Sequence, residues 1–266
     1  MNATRFPTFF LSHGGGPWPY IDGVRDQYAI TKAAFRNLPQ TLPSKPKAVL
    51  VITGHWEERI FTVSTAEHPP MVYDYHGFPE HTYHIQYVAP GSPTLATRVR
   101  ELLQQAGIPC AENPNHGYDH GTFVPLGLMY PDAEVPVVML SMKANYNVDE
   151  HIAVGQAIQA LRDEEVLIIG SGLTYHNMRG FGQAGAMQVS VTFEQYLHEA
   201  VTEPNETIRL EKLKHWEQSA AARQAHPQED HLMPLMVVAG AAGKDMGERF
   251  VFDNVMNVAM ASYRFG

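Results

Sequence analysis

Three apolar runs, each followed by a histidine in a glycine-rich turn, constrain the fold of this chain more than any other feature of its sequence. The runs read FFLSHGGG at Phe9–Gly16, AVLVITGHWEE at Ala48–Glu58 and VLIIGSGLTYHN at Val166–Asn177. Short runs rich in Val, Ile and Phe that end at glycine are typical of buried β-strands. Open α/β sheets bind ligands at the carboxyl ends of their strands. We therefore expect His13, His55 and His176 to share one edge of a sheet and to contribute to a metal site.

The remaining pattern alternates strands with helices and predicts a single α/β domain over residues 1–266. Its central sheet is expected to be mixed but mainly parallel and flanked by helices, with the metal site at the carboxyl edge of the strands. The clearest helix is Thr94–Ala106, because Ser92 caps it and Pro93 occupies its first position. The other predicted segments are helices Val24–Leu38, Val148–Arg162 (capped by Asn147) and Ala186–Ala222 (interrupted near Pro204), strands Ala48–Thr53, Phe61–Ser64, Val135–Ser141 and Val166–Gly170, and a long loop, Pro69–Pro90, with a short strand near His84–Val88.

Charge and cysteine content exclude several classes of function. Nineteen basic and twenty-eight acidic residues give a formal net charge of −9, which offers no basic surface for nucleic acid or an anionic membrane. Cys110 is the only cysteine, which excludes an intrachain disulfide and a thiolate metal cluster. No apolar run approaches the roughly 18 residues that span a bilayer. We expect a protein of the reducing cytoplasm, with neither a nucleic-acid nor a membrane partner.

A third metal ligand has several candidates in one segment near the carboxyl end. Oxygen-activating non-haem iron often uses two histidines and one carboxylate on one face, and zinc also accepts imidazole nitrogen. The first two runs already supply two histidines. The segment HPQEDHLMPL, residues His226–Leu235, offers Glu229, Asp230 and His231 before a predicted apolar helix. Spacing does not choose among the three, and the acidic pair also suits an ordinary helix N-terminus.

Seven motifs, taken together and in order, carry a resemblance that spans nearly the whole chain. They are SHGGGP (Ser12–Pro17), GHWEE (Gly54–Glu58), YDYHGFP (Tyr73–Pro79), YVAPGSP (Tyr87–Pro93), YDHGTFVPL (Tyr118–Leu126), GSGLTYHN (Gly170–Asn177) and HPQEDHLMPL. In these motifs the chain resembles the class III extradiol ring-cleaving dioxygenases, in the DOPA 4,5-dioxygenase-like branch. That family opens catechol rings beside the two hydroxyls with dioxygen and a non-haem ferrous ion, and some members hold zinc in its place.

The resemblance implies a set of site residues. The metal ligands are expected to be His13, His55 and His231, with His176 and His120 around a small catechol substrate. Relatives that cleave protocatechuate have a glutamate as the third ligand, whereas this branch places a histidine there. Glu229 therefore remains the alternative for that position.

Ring cleavage also needs proton transfer, and histidine is suited to it. A base must remove a catechol hydroxyl proton and an acid must act later, and imidazole with a pKa near 6.5 does both around neutral pH. We assign His176 as the base. His120 lies in YDHGTFVPL, where Gly121 and Pro125 suggest a tight turn that holds it against the substrate.

The aromatic loop Pro69–Pro90 is expected to cover the substrate. Its aromatic residues Tyr73, Tyr75 and Phe78 are suited to pack on a ring, whereas its histidines are interpreted as packing residues. These histidines are His76, His81 and His84.

Two other functions use the same histidines. One is a zinc hydrolase in which His176 is the base for a metal-bound water. The other is a non-catalytic metal-binding protein of the same fold, against which the presence of both His120 and His176 argues. The sequence leaves the identity of the catechol, the natural metal and the oligomeric state open.

Overall fold

The computed structural model describes residues 5–266 and confirms the α/β architecture. The strands, in chain order, are β1 (Thr8–Ser12), β2 (Ala48–Thr53), β3 (Glu57–Glu58), β4 (Phe61–Ser64), β5 (Cys110–Asn113), β6 (Val137–Met139), β7 (Met142–Lys143), β8 (Val166–Gly172), β9 (Gly247–Val255) and β10 (Val258–Phe265). Six of them form the central sheet in the order β6–β2–β8–β1–β10–β9. The strands β6, β2, β8 and β1 run parallel to one another, and β10 runs antiparallel to both of its neighbours, β1 and β9, so the sheet is mixed but mainly parallel.

Helices flank this sheet. In chain order they are α1 (Ala29–Asn37), α2 (Pro93–Gln105), α3 (His120–Met129), α4 (Val148–Ile158), α5 (Ala186–Val201), α6 (Glu206–Lys214), α7 (Ala222–Ala225) and α8 (Met233–Ala242). Every residue of α8 is buried, and the helix packs against β1, β8 and α4. A helix that is apolar on all sides is expected in such a position. Within residues 5–266, no helix combines the length and apolar character needed to cross a membrane.

The most regular predicted segments are confirmed. Strands β2 and β4 have the predicted bounds, and the predicted Val166–Gly170 lies within β8. The strand predicted over Val135–Ser141 is shortened to β6. Helix α2 begins at Pro93, and the Ser92 hydroxyl oxygen accepts a hydrogen bond from Leu95 N at 3.2 Å, as a helix cap does.

Three predicted helices differ from the structure in the type or continuity of their turns. In the predicted Val24–Leu38, the α-helix begins only at Ala29, after a 3₁₀ turn. The predicted Val148–Arg162 ends as an α-helix at Ile158 and continues as a 3₁₀ helix. The region Ala186–Ala222 is interrupted near Pro204 as predicted, between α5 and α6, but it breaks a second time after α6. Apolar spacing does not distinguish these cases, because 3₁₀ turns bury side chains at similar intervals.

The long loop contains no strand, contrary to the short one predicted near His84–Val88. This fully described segment forms a 3₁₀ helix at Glu80–His84 instead. Two of its phenol groups satisfy its own backbone: Tyr73 donates to Ile85 O and Tyr75 donates to Thr82 O, each at 2.6 Å. These tyrosine hydroxyls thus provide hydrogen bonds to loop carbonyls that a neighbouring strand would otherwise provide.

His120 begins α3, so the tight turn predicted around Gly121 and Pro125 is wrong. The carboxylate of Asp119 caps the helix by accepting a hydrogen bond from Thr122 N at 2.9 Å. Pro125 lies inside the helix, where proline removes one backbone hydrogen bond. The Asp119 cap therefore favours a helix here more strongly than Gly121 and Pro125 favour a turn.

The carboxyl-terminal hairpin of β9 and β10 was not assigned from the sequence. Its connection is Met256–Asn257, and both residues have positive φ, 50° and 62°. Two-residue hairpin turns of this kind favour Asn and Gly. Methionine at the first position gives no turn signal, which explains why the pattern alone did not predict the hairpin.

Candidate active site

Five histidines meet at the carboxyl edge of the central sheet. His13 directly follows β1, His55 lies two residues after β2, and His176 lies four residues after β8. These strands are neighbours, in the order β2–β8–β1. His231 reaches the same edge from the loop before α8, and His120 reaches it from the first residue of α3. The structure therefore brings together all five histidines singled out from the sequence.

Two glycines allow the backbone to approach these strand ends. Leu173 N donates to the His231 carbonyl at 3.0 Å, and a Cβ at Gly172 would lie 2.1 Å from the same carbonyl oxygen. A Cβ at Gly121 would lie 2.4 Å from Thr53 Oγ1 at the end of β2. Because glycine has no Cβ, the loop and the helix pack directly against the strands that position the histidines.

The Nε2 atoms of three histidines converge. His55 Nε2 lies 3.1 Å from His13 Nε2 and 3.1 Å from His231 Nε2. His120 lies beside them, with its ring centroid 4.1 Å from that of His55 and 5.3 Å from that of His13. Donor atoms of His13, His55 and His120 also lie within 4.8 Å of one another. The arrangement is a histidine-rich site of the kind that binds a metal ion.

A serine hydroxyl at the end of β8 determines which His13 nitrogen carries the proton. Inside α3, the carbonyl of Gly121 lacks its usual i+4 donor because Pro125 has no N–H. The Ser171 hydroxyl donates to this carbonyl. Its oxygen then accepts from His13 Nδ1 at 3.0 Å. His13 consequently carries its proton on Nδ1, and its Nε2 presents a lone pair to the other histidines.

Asp74, in the long loop, contacts two histidines through separate oxygens. Its Oδ2 lies 3.1 Å from His55 Nδ1. Its Oδ1 lies 2.8 Å from His120 Nδ1 and 3.1 Å from the His120 backbone nitrogen. A carboxylate only accepts, so each ring turns a protonated Nδ1 toward Asp74.

Asp230 makes a similar arrangement with a single oxygen. Its Oδ2 lies 2.6 Å from His231 Nδ1 and 3.4 Å from His176 Nδ1. Burial opposes ionisation of this carboxyl group, but the hydrogen bonds from His176 and His231 outweigh it and lower the pKa of Asp230. The group is therefore an acceptor at neutral pH, and Nδ1 of both histidines donates to it.

The three converging rings are uncharged at neutral pH. Burial lowers the pKa of His13 and of His55 well below the usual value, and repulsion from neighbouring histidines lowers both further. Burial is also the main cause that lowers the pKa of His231 to about 4. Each neutral ring has one proton, held on Nδ1, so the Nε2 lone pairs of His13 and His231 both lie against His55 Nε2. Ferrous ion and zinc both accept this donor set, so the residues fit a metal.

Aromatic rings and His176 form the sides of the cluster. His176 stacks on His231, with ring centroids 3.4 Å apart and 23° between the planes. Its side chain is 20% exposed, whereas His231 is buried. From the long loop, the Tyr75 ring lies 5.8 Å from the His120 ring, and Phe78 lies 5.5 Å from Tyr75. His176 is thus the histidine of this pair that faces solvent.

The other candidates from the sequence lie outside the cluster. The Glu229 carboxylate accepts a hydrogen bond from Arg223 at 2.6 Å and does not join the converging nitrogens. His81 bonds to a backbone carbonyl, and His84 bonds to a carboxylate on its own helical turn. His76 is exposed. The structure thus separates these residues from the site.

Sequence reasoning missed two residues that orient the histidines, Ser171 and Asp74. Ser171 lies within the third apolar run, where a small polar residue gave no signal of its own. Asp74 lies between tyrosines in YDYHGFP, and a lone carboxylate in an aromatic loop was the available signal.

Comparisons with known proteins point to one family. The family model of the catalytic LigB subunit of aromatic ring-opening dioxygenase matches residues 7–265. A protein of Beta vulgaris named 4,5-DOPA dioxygenase extradiol is 35% identical over 264 residues, 97% of this chain and 96% of the relative. A protein of the same name from Escherichia coli K12 is 34% identical over 245 residues, 91% and 87% of the two chains. The crystal structure of the uncharacterized protein JW3007 from Escherichia coli K12 has a TM-score of 0.80 and 30% identity, and the match covers 98% of this chain and 100% of that one.

Proposed function

This chain belongs to the family of the catalytic LigB subunit of aromatic ring-opening dioxygenase and is an extradiol ring-cleaving dioxygenase; from this premise we propose that its substrate is a small, DOPA-like catechol and its metal is ferrous ion. Both atoms of dioxygen enter the product. Cleavage beside the hydroxyl pair leaves a conjugated hydroxy-semialdehyde, which is yellow.

We assign the metal to His13, His55 and His231. The observation that carries this assignment is the approach of two Nε2 atoms to within 3.1 Å of His55 Nε2, with each ring's proton held on the opposite nitrogen. Bound ferrous ion supplies coordination for both catechol oxygens and electrons for dioxygen. Zinc fits the same nitrogens and is expected to occupy the site in part of the purified protein.

His176 is the base in this proposal, and His120 holds the substrate. Nδ1 of each ring donates to a carboxylate, which leaves Nε2 to exchange a proton with the substrate. His176 receives a catechol hydroxyl proton from the exposed side of the site. His120 lies beside His55 and next to Tyr75 of the aromatic loop, where its Nε2 hydrogen-bonds a substrate oxygen.

The aromatic loop supports a ring-shaped substrate. Tyr75 and Phe78 pack edge to face beside His120, and Phe78 lies so close to Gly16 that a Cβ there would be 2.6 Å from the ring. Offset and edge-to-face contacts are those that aromatic rings prefer. The loop therefore places an aromatic wall next to the histidines, and the relatives named 4,5-DOPA dioxygenase extradiol favour a DOPA-like catechol.

Oxygen uptake after anaerobic loading tests the proposal. Metal-free protein is loaded with ferrous ion or with zinc without oxygen, and oxygenated buffer with DOPA, catechol or protocatechuate is added. We expect uptake and a yellow product with ferrous ion and a DOPA-like catechol, and neither with zinc. Ester or amide hydrolysis by the zinc form, without oxygen uptake by the ferrous form, would contradict it.

A matched pair of variants ties the activity to the site. His55→Ala is expected to abolish oxygen uptake. His151→Ala removes another neutral histidine, which lies outside the cluster and donates to Asn147 O at 2.7 Å. This variant is expected to retain oxygen uptake. Equal uptake by the two variants would show that the converging nitrogens are not the metal site.

A further inference from the structure

Two aspartates each join one proposed metal ligand to one proposed proton-transfer histidine. Carboxylate oxygens of Asp74 lie 3.1 Å from His55 Nδ1 and 2.8 Å from His120 Nδ1, and Asp230 Oδ2 lies 2.6 Å from His231 Nδ1 and 3.4 Å from His176 Nδ1. Both aspartates contact these rings at Nδ1, the nitrogen opposite the converging Nε2 atoms. The two pairs of histidines therefore share a pattern that the ligand assignment alone does not explain.

We infer that Asp74 and Asp230 are positioning residues that fix the Nδ1–H form of both histidines in each pair. This inference rests on the proposed function for the roles of those histidines. A neutral imidazole has one proton, and a carboxylate accepts but does not donate, so the proton stays on Nδ1 and the lone pair stays on Nε2. Carboxylates behind metal-binding histidines orient the ring and raise its basicity.

The two carboxylates differ in a way that predicts different responses to the same substitution. Asp74 uses both oxygens, because Oδ1 serves His120 and Oδ2 serves His55. Asp230 uses only Oδ2, and its Oδ1 is buried without a hydrogen-bond partner among the described residues. An amide has one accepting oxygen and one donating nitrogen. Asparagine can therefore replace the carboxylate only where one oxygen does all the accepting.

In Asp74→Asn the amide cannot satisfy both rings. The amide oxygen is expected to take the position of Oδ1, where it accepts from both the ring and the backbone nitrogen of His120. The amide nitrogen then donates toward His55 Nδ1. His55 must accept there and move its proton to Nε2, where it blocks metal binding. In Asp230→Asn the amide oxygen takes the position of Oδ2, and both rings keep their protons on Nδ1.

Nitrogen-15 NMR of the metal-free protein reads these proton positions directly. Histidine-labelled protein gives distinct ring-nitrogen shifts for Nδ1–H and Nε2–H forms, so the test does not depend on activity. We expect Nδ1–H for His55, His231 and His120 in the unsubstituted protein. We expect Asp74→Asn to move the proton of His55 alone, and Asp230→Asn to move none.

Titration with Co²⁺, a spectroscopic substitute for ferrous ion, measures the consequence for binding. Alanine at either position is expected to weaken Co²⁺ binding by about 10–100-fold, the usual effect of losing a partner behind a metal ligand. Asparagine is expected to restore binding at position 230 and to fail at position 74. Asp253→Asn is the matched control for Asp74→Asn: this buried carboxylate also uses both oxygens, Oδ2 for Thr31 N and Oγ1 and Oδ1 for Asn254 N, and no hydrogen bond within the described part of the chain joins it to a histidine. It should change neither the NMR signals nor Co²⁺ binding.

The outcomes separate this inference from the proposed function. Nε2–H forms of His55 or His231 in the unsubstituted protein would overturn the inference, even if Asp74→Asn failed to fold. So would equal rescue by asparagine at both positions. If the NMR and Co²⁺ results are as expected but no catechol supports oxygen uptake, the positioning role of the carboxylates toward the metal ligands stands and the proposed function fails.

Discussion

Removing one hydroxyl, in Ser171→Ala, tests whether the proton position on His13 matters for metal binding. The substitution takes a donor from the Gly121 carbonyl and an acceptor from His13 Nδ1. Both groups are buried, and leaving each unpaired costs roughly 1–3 kcal/mol, so the free energy of unfolding should fall by about 2–6 kcal/mol. His13 is then free to hold its proton on Nε2, and metal affinity should fall by about 10–100-fold.

A second serine separates lost stability from lost metal affinity. Ser190 is also fully buried, donates to Met187 O at 3.0 Å, accepts from Ala259 N at 2.9 Å and contacts no histidine. Denaturant unfolding of the metal-free variants should show comparable destabilisation. Anaerobic Co²⁺ titration should show weaker binding for Ser171→Ala only. If both variants bind Co²⁺ equally well, the hydroxyl does not control the His13 ligand and the reasoning is refuted.

The remaining predictions concern proton transfer, the third ligand and pH. His176→Phe and His120→Phe should keep bound ferrous ion but slow ring opening by about 10²–10⁴-fold in stopped-flow measurements; loss of iron would make either residue a ligand. His231→Ala should lose metal by elemental analysis while Glu229→Gln keeps it, and the reverse result would move the ligand to Glu229. Burial raises the pKa of Asp119 from 3.8 to about 7. Between these two pKa values the folded protein keeps a proton that the unfolded chain releases, so the free energy of unfolding falls as the pH rises through this range. In denaturant unfolding of the metal-free proteins, the free energy of unfolding of Asp119→Asn should therefore equal that of the unsubstituted protein near pH 4 and exceed it by about 4 kcal/mol near pH 8. A difference that does not depend on pH would contradict this.

The strand-end histidines could be predicted from the sequence because each is local to its strand. The apolar runs and their glycines place His13, His55 and His176 at one sheet edge, and the structure has them there. The position of His231 depended on the resemblance to a family, because spacing alone left Glu229 and Asp230 equally open.

The groups that orient these histidines could not be predicted, because they depend on contacts between distant parts of the chain. Ser171 lies 158 residues from His13, and Asp74 lies 46 residues from His120. The hydroxyl of Ser171 has its role only because Pro125 leaves a carbonyl unpaired inside α3. No sequence periodicity predicts this contact between Ser171 and the Gly121 carbonyl, and Pro125 itself suggests a turn in the sequence.

Mass spectrometry of the product formed under oxygen-18 gas tests the central claim most directly. Protein loaded anaerobically with ferrous ion is mixed with a DOPA-like catechol and labelled dioxygen, and the reaction is quenched before the product exchanges oxygen with water. We expect a yellow ring-opened product that contains both labelled atoms. A product with one labelled atom or none, or a colourless diacid from cleavage between the hydroxyls, would contradict the proposed reaction.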